Sequence, residues 1–127
     1  MSPTNIENTL TAEGPLIGSV IAIGDRRRFN TALITLDAEA AAAFADARGL
    51  EATDLAELIE HPGVQAEIAD GVERANARLS RVEQIKKYTV LPTVWEPGGE
   101  EVTPTMKLKR KPIVAKYAET IEKMYAD

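Results

Sequence analysis

The sequence predicts a small α+β domain. It should hold a β-hairpin within a short, mostly antiparallel sheet of about three strands or more, flanked by helices, with a helical insertion over residues 37–79. Three observations carry this expectation. Two β-branched, apolar runs, 17–23 and 31–36, lie close enough to pair across a turn. Over much of residues 37–79 the apolar positions recur at helical spacing instead. The third is size: 127 residues, 44% hydrophobic and 28% charged, suit one domain with a modest, largely aliphatic core.

Taken in order, Ser2-Pro3 reads as an N-cap and first-turn proline opening a short helix. Ile6 and Leu10 share its buried face, and Gly14-Pro15 stops it. Ile17–Ile23 is the first strand, closed by the turn signal Gly24-Asp25, and Thr31–Leu36 is the second. Asp37 begins an alanine-rich helix to about Arg48, ended by Gly49. Thr53-Asp54 caps a short helix to about Glu60, which His61-Pro62-Gly63 breaks. Val64, Ile68, Val72, Ala75 and Leu79 then form an amphipathic stripe. Tyr88–Leu91 is a third strand, and Pro92 to Pro104 is turn and loop. The final helix should run from Pro112 to about Tyr125, burying Ile113, Tyr117, Ile121 and Met124.

Composition excludes several chemistries. With no cysteine there is no disulfide, thiolate metal site or cysteine nucleophile. His61 is the only histidine, so neither a histidine metal cluster nor a Ser-His pair has support, and no metal site is expected. A net charge of −5 argues against nucleic acid as a partner, because phosphate neutralisation needs a basic footprint. No apolar run approaches the ~18 residues of a membrane helix, and a cytoplasmic location is the default expectation.

Against this acidic background, Lys107, Lys109, Arg110 and Lys111 place four cations within five positions, between a proline-punctuated loop and a helix start. In an extended segment, Met106-Lys107-Leu108-Lys109 puts the two lysines on one side and the apolar pair on the other. Met106 and Leu108 can then pin the segment while both ammonium groups project outward. By spacing alone the cluster is a solvated basic turn, a polyanion-binding patch or the seat of a catalytic lysine. A second basic tip, Arg26-Arg27-Arg28, joins the two strands of the hairpin. It reads as a solvated turn or as a phosphate contact, since arginine forks suit phosphates.

The segment Thr103-Pro104-Thr105-Met106-Lys107-Leu108-Lys109-Arg110 resembles the C-terminal catalytic-lysine motif of adenylate-forming enzymes, in the form used by long-chain fatty-acid–CoA ligases. Other segments agree in order and spacing. Met1–Glu7 resembles the tail of the family's hinge motif. Residues 21–26 and 32–37 resemble the hairpin that follows it, and Val82–Tyr88 with Leu91-Pro92 the stretch before the final loop.

The resemblance implies that residues 1–127 are one C-terminal lid domain. The hinge residue and a large N-terminal ATP- and acyl-binding domain would lie outside them. It implies a reaction in which fatty acid, ATP and coenzyme A give acyl-CoA, AMP and diphosphate, with ATP and magnesium held mainly by the large domain. On this carry-over Lys107 is the catalytic lysine of adenylation. Lys109, Arg110, Arg26, Arg27 and Arg28 are candidates for phosphate, coenzyme A or domain-interface contacts. The partners implied are the chain's own large domain, fatty acid, ATP and coenzyme A. The isolated domain is expected to be monomeric and inactive, with peripheral membrane association of the full-length enzyme left open. A stand-alone, non-catalytic protein-interaction module of the same fold is the alternative. Trp95 is expected to pack, His61 to end a helix, Lys86 and Lys87 to be surface charges, and Glu100-Glu101 to carry no chemistry.

Overall fold

The computed structural model describes residues 3–24, 27–49, 54–95, 98–99, 101–105 and 107–126. Among these are six helices and three strands. Helix α1 spans Pro3–Glu13, strands β1 and β2 span Ile17–Ile23 and Asn30–Leu36, and helices α2, α3 and α4 span Ala38–Ala47, Leu55–Leu58 and Pro62–Arg78. Strand β3 spans Ile85–Leu91, and helices α5 and α6 span Arg110–Lys116 and Ala118–Tyr125. The domain is α+β as expected. The Ser2 cap and the Thr53 half of the α3 cap fall outside the described residues.

The sheet order is β1-β2-β3, with β1 and β2 antiparallel and β2 and β3 parallel. It is therefore mixed, not mostly antiparallel. Parallel neighbours need a crossover that returns the chain to the same end of the sheet, and α2–α4 with the turn after them are that crossover. Residues 37–79 are thus the connection that sets the direction of β3.

Central strand β2 is buried at every position because helices cover both faces of the sheet. On one face Val20, Ala22, Ala32, Ile34 and Leu36 pack with Ile6, Leu10, Val64, Ile68 and Ala75 from α1 and α4. On the other, Ile21, Leu33 and Leu91 pack with Trp95, Val102, Ile113, Ile121, Met124 and Tyr125. The crossover helices thus occupy one layer, and the segment around Lys107 shares the opposite layer with the C-terminal helices.

Local signals account for most boundaries. The Asp37 carboxylate accepts the Ala40 N–H at 3.1 Å and caps α2, and Asp54 does the same for Glu57 at 2.8 Å. Gly49, at φ 65°, follows α2 in the left-handed conformation that glycine adopts without strain. Gly71 lets α4 approach the end of α1, since a Cβ there would lie 2.9 Å from the Gly14 Cα. His61 lies at the break between α3 and α4, as expected, and it also starts α4, its Nδ1 accepting the Gly63 N–H at 3.0 Å. Strand β3 begins at Ile85, earlier than read, because the Asn76 amide bonds both polar groups of the Ile85 backbone at 2.9 and 3.0 Å. The last helix is two helices broken at Tyr117 (φ −106°, ψ 22°). It starts at Arg110 instead of Pro112, and the proline sits in the first turn, where its missing N–H costs no hydrogen bond.

Candidate active-site loop

The segment around Lys107 is a small hairpin. Val102 and Leu108 form an antiparallel bridge. Beyond it the Thr103 N–H donates to the Lys107 carbonyl at 2.8 Å, and before it the Lys109 N–H donates to the Glu101 carbonyl at 2.7 Å. The Thr103 hydroxyl accepts the Lys107 N–H at 2.9 Å and lies 3.1 Å from the Thr105 hydroxyl. Val102 is buried and Leu108 half-buried against Trp95, Ile113 and Tyr117. The apolar side of the predicted alternation is therefore anchored at Leu108; Met106 lies outside the described residues.

The cations of the cluster separate into two kinds. Lys107 and Lys111 are exposed, and neither ammonium has a hydrogen-bond or ion-pair partner among the described residues. Lys109 does not project outward with Lys107: its Nζ turns back to the Gly99 carbonyl at 3.1 Å and braces the loop. Arg110 reaches across to the first strand. Its Nη1 donates to the Ala22 carbonyl at 2.9 Å and its Nη2 to the Glu7 carboxylate at 2.7 Å. The same Glu7 oxygen accepts the Ala22 N–H at 2.8 Å. Together Glu7 and Arg110 occupy both polar groups of Ala22 on an edge strand, where unpaired backbone would otherwise invite another chain. They also tie the end of the Lys107 loop to α1 and β1.

Behind the loop sits a second ion pair. Glu101 is only 8% exposed and pairs with Lys116 of α5. The pair ties the loop to α5; Glu100 lies outside the described residues. Trp95 packs as expected: it is 5% exposed, and its indole N–H points to the Tyr117 hydroxyl at 3.4 Å.

The hairpin-tip arginines are engaged differently. Arg26 lies outside the described residues. Arg27 forms a two-pronged pair with Glu122 of α6 and lies 4.7 Å from the Tyr125 ring centroid. The hydrogen bond to Glu122 raises the Arg27 pKa above its ordinary value, and its counterpart holds the Glu122 carboxyl below the usual carboxylate range. Arg28 donates to the Tyr125 carbonyl at 2.5 Å and lies over Phe29, which stacks on Tyr125. The Tyr125 hydroxyl bonds the Phe29 and Ile23 carbonyls at 2.8 and 3.1 Å. The tip is therefore latched to the C-terminal helix.

Sequence reasoning missed Glu7 and Thr103. Glu7 is 103 residues from Arg110, and no spacing rule connects them. Thr103 did carry a signal, since a threonine before a proline in a tight loop is placed to bond nearby backbone. Also missed was an open groove of about 640 Å³, lined by residues that include Ile59, Pro62, Ala66, Tyr88 and Val90. Burial there pushes the Tyr88 hydroxyl pKa up. None of the groove's lining residues belongs to the Lys107 segment. No group of histidine, cysteine, aspartate and glutamate among the described residues could hold a metal ion, and no helix among them is long and apolar enough to cross a membrane.

Comparison with known proteins covers the whole chain. The family described as AMP-binding enzyme C-terminal domain matches residues 1–127. One relative is fadD11 of Mycobacterium tuberculosis, assigned by its name to the fatty-acid–CoA ligases. It is 56% identical over 126 residues, which are 99% of this chain and 22% of that protein. The long-chain-fatty-acid–CoA ligase FadD15 of the same organism is 36% identical over 98% of this chain and 21% of its own length. The chain thus spans about a fifth of the length of these relatives. Among solved structures, the adenylation domain of a carboxylate reductase from Mycobacterium chelonae shares the fold. Its TM-score is 0.74 at 20% identity, covering 100% of this chain and 18% of that one.

Proposed function

We propose, because the chain belongs to the family of AMP-binding enzyme C-terminal domains, that it is the mobile lid of an ATP-dependent long-chain fatty-acid–CoA ligase and supplies that enzyme's adenylation lysine, Lys107. The reaction joins fatty acid, ATP and coenzyme A into acyl-CoA, AMP and diphosphate. ATP, magnesium and the acyl pocket are assigned to a large N-terminal domain, a reading supported by the chain spanning only about a fifth of its relatives' length.

One observation carries the reading: Lys107 combines a backbone held by hydrogen bonds on both sides with an exposed ammonium that has no partner among the described residues. A fixed stem with a free cationic head is what an electrostatic catalyst needs. The charge must meet the carboxylate and α-phosphate as negative charge gathers there, without first breaking an internal ion pair. Arg27, Arg28, Lys109 and Arg110 are already engaged inside the domain, so any contact of theirs with coenzyme A or the large domain requires exchanging those bonds.

The test is Lys107→Ala in the full-length ligase carrying this domain. Adenylation should fall by about 10²–10³-fold, while conversion of preformed acyl-adenylate to thioester stays near wild type. Equal loss in both half-reactions would refute the assignment. The 127-residue chain alone should show no ligase turnover, and measurable turnover would sink the lid reading.

A further inference from the structure

We infer that Thr103 is a positioning residue for Lys107: its hydroxyl and its backbone N–H together clamp the Lys107 peptide from both sides. The inference rests on the reading of Lys107 given above and adds the device that aims it. The Thr103 N–H donates to the Lys107 carbonyl at 2.8 Å, and the Thr103 Oγ1 accepts the Lys107 N–H at 2.9 Å. One residue thus satisfies both backbone polar groups of the lysine. The Thr105 hydroxyl, 3.1 Å from that of Thr103, orients the acceptor.

The backbone bond alone would leave the loop able to pivot. Pro104 offers no N–H to brace it. On the far side, among the described residues, the frame resumes at the Val102–Leu108 bridge and the Lys109 contacts to Glu101 and Gly99. Between these, the side-chain bond from Thr103 sets the direction in which the Lys107 Cα–Cβ bond leaves the loop. The four methylenes beyond it remain free, so the clamp fixes the root of the side chain and leaves the charge mobile.

Such a residue never touches substrate and acts through another, which dictates the experiment. Thr103→Val keeps the shape and removes the acceptor, whereas Thr103→Ser keeps the hydroxyl. In the full-length ligase, Thr103→Val should lower the single-turnover adenylation rate by about 10- to 100-fold, with KM for ATP and fatty acid within about threefold of wild type. Thr103→Ser should restore the rate to within about threefold, and thioester formation from preformed acyl-adenylate should be unchanged. On a Lys107→Ala background, Thr103→Val should add less than about threefold, because nothing remains to be aimed. In the 127-residue chain, the Lys107 amide should exchange its hydrogen at least about tenfold faster in Thr103→Val than in Thr103→Ser.

Wild-type adenylation by Thr103→Val, or an undiminished effect on the Lys107→Ala background, overturns the positioning role. If Lys107→Ala itself adenylates normally, the catalytic reading of Lys107 fails instead. The exchange measurement then still reports whether Thr103 holds the peptide.

Discussion

Two basic tips lie on this domain, and they are put to opposite uses. At the β1–β2 turn, Arg27 and Arg28 are bound to Glu122 and to the Tyr125 carbonyl, with the Tyr125 and Phe29 rings beneath them. At the loop before α5, Lys107 has its backbone pinned and its ammonium unpartnered among the described residues. In sequence both are clusters of like charge beside turn residues, and composition ranks them alike. The difference lies in what is fixed. The arginine tip immobilises its charged heads to hold two elements together, whereas the lysine tip immobilises a peptide and leaves the head free. A guanidinium suits the first task because its planar fork is pre-organised for two acceptors, and a compact ammonium on a flexible stem suits the second.

The sharpest way to break this contrast is to exchange consequences between the two tips. Lys107→Ala is expected to produce the largest functional effect, the loss of about 10²–10³-fold in adenylation described above. An exposed side chain with no partner among the described residues should nevertheless cost less than about 0.5 kcal/mol of stability, read from the midpoint of urea unfolding of the 127-residue chain. A large stability loss would mean that the ammonium has a structural partner after all.

The next largest effect belongs to the arginine tip. Tyr125→Phe deletes a hydroxyl that bonds the Ile23 and Phe29 carbonyls and accepts from the buried Thr31 hydroxyl at 3.2 Å. Leaving such groups unsatisfied costs on the order of 1–3 kcal/mol. Urea unfolding should show that loss, with amide exchange accelerated at the β1–β2 turn and unchanged at Lys107. Acceleration at both tips would show that they are one mechanical unit and that the contrast is false.

How legible these features were depends on the range of the interactions that make them. Strand β1 and the α4 stripe followed from local pattern, because burial of one face writes a period into the residues themselves. Leu108 as an apolar pin followed in the same way. The parallel direction of β3 did not, because it is a property of the whole 37–79 crossover and not of any residue in the strand. Neither did the fate of the cations. Arg110 meets Glu7 across 103 residues, and Arg27 meets Glu122 across 95. Charge clustering marks where such partners are needed, but only the fold decides which charges find one. Lys107 was singled out by resemblance, and the structure adds that its head stays unpartnered among the described residues while Lys109 turns inward.

The smallest effect is also the one that tests the latch most directly. Glu122 has its carboxyl held below the usual range by the hydrogen bond from Arg27. A carboxylate whose folded pKa is depressed contributes stability that is present above its unfolded value. That contribution fades as pH falls through the folded one. The Arg27–Glu122 contribution should therefore be complete at neutral pH and begin to fade below about pH 4.3, the ordinary glutamate value. Both side chains face solvent, so salt should weaken the pair as well. Glu122→Gln should accordingly lower stability at neutral pH by less than Tyr125→Phe does, and the gap from wild type should close as pH falls or as salt is raised to about 1 M, where the screening length is about 3 Å. No gap between Glu122→Gln and wild type at neutral pH and low salt would mean that the guanidinium is held by Tyr125 stacking alone. The arginine tip would then be latched by an aromatic face, and the carboxylate would be a bystander.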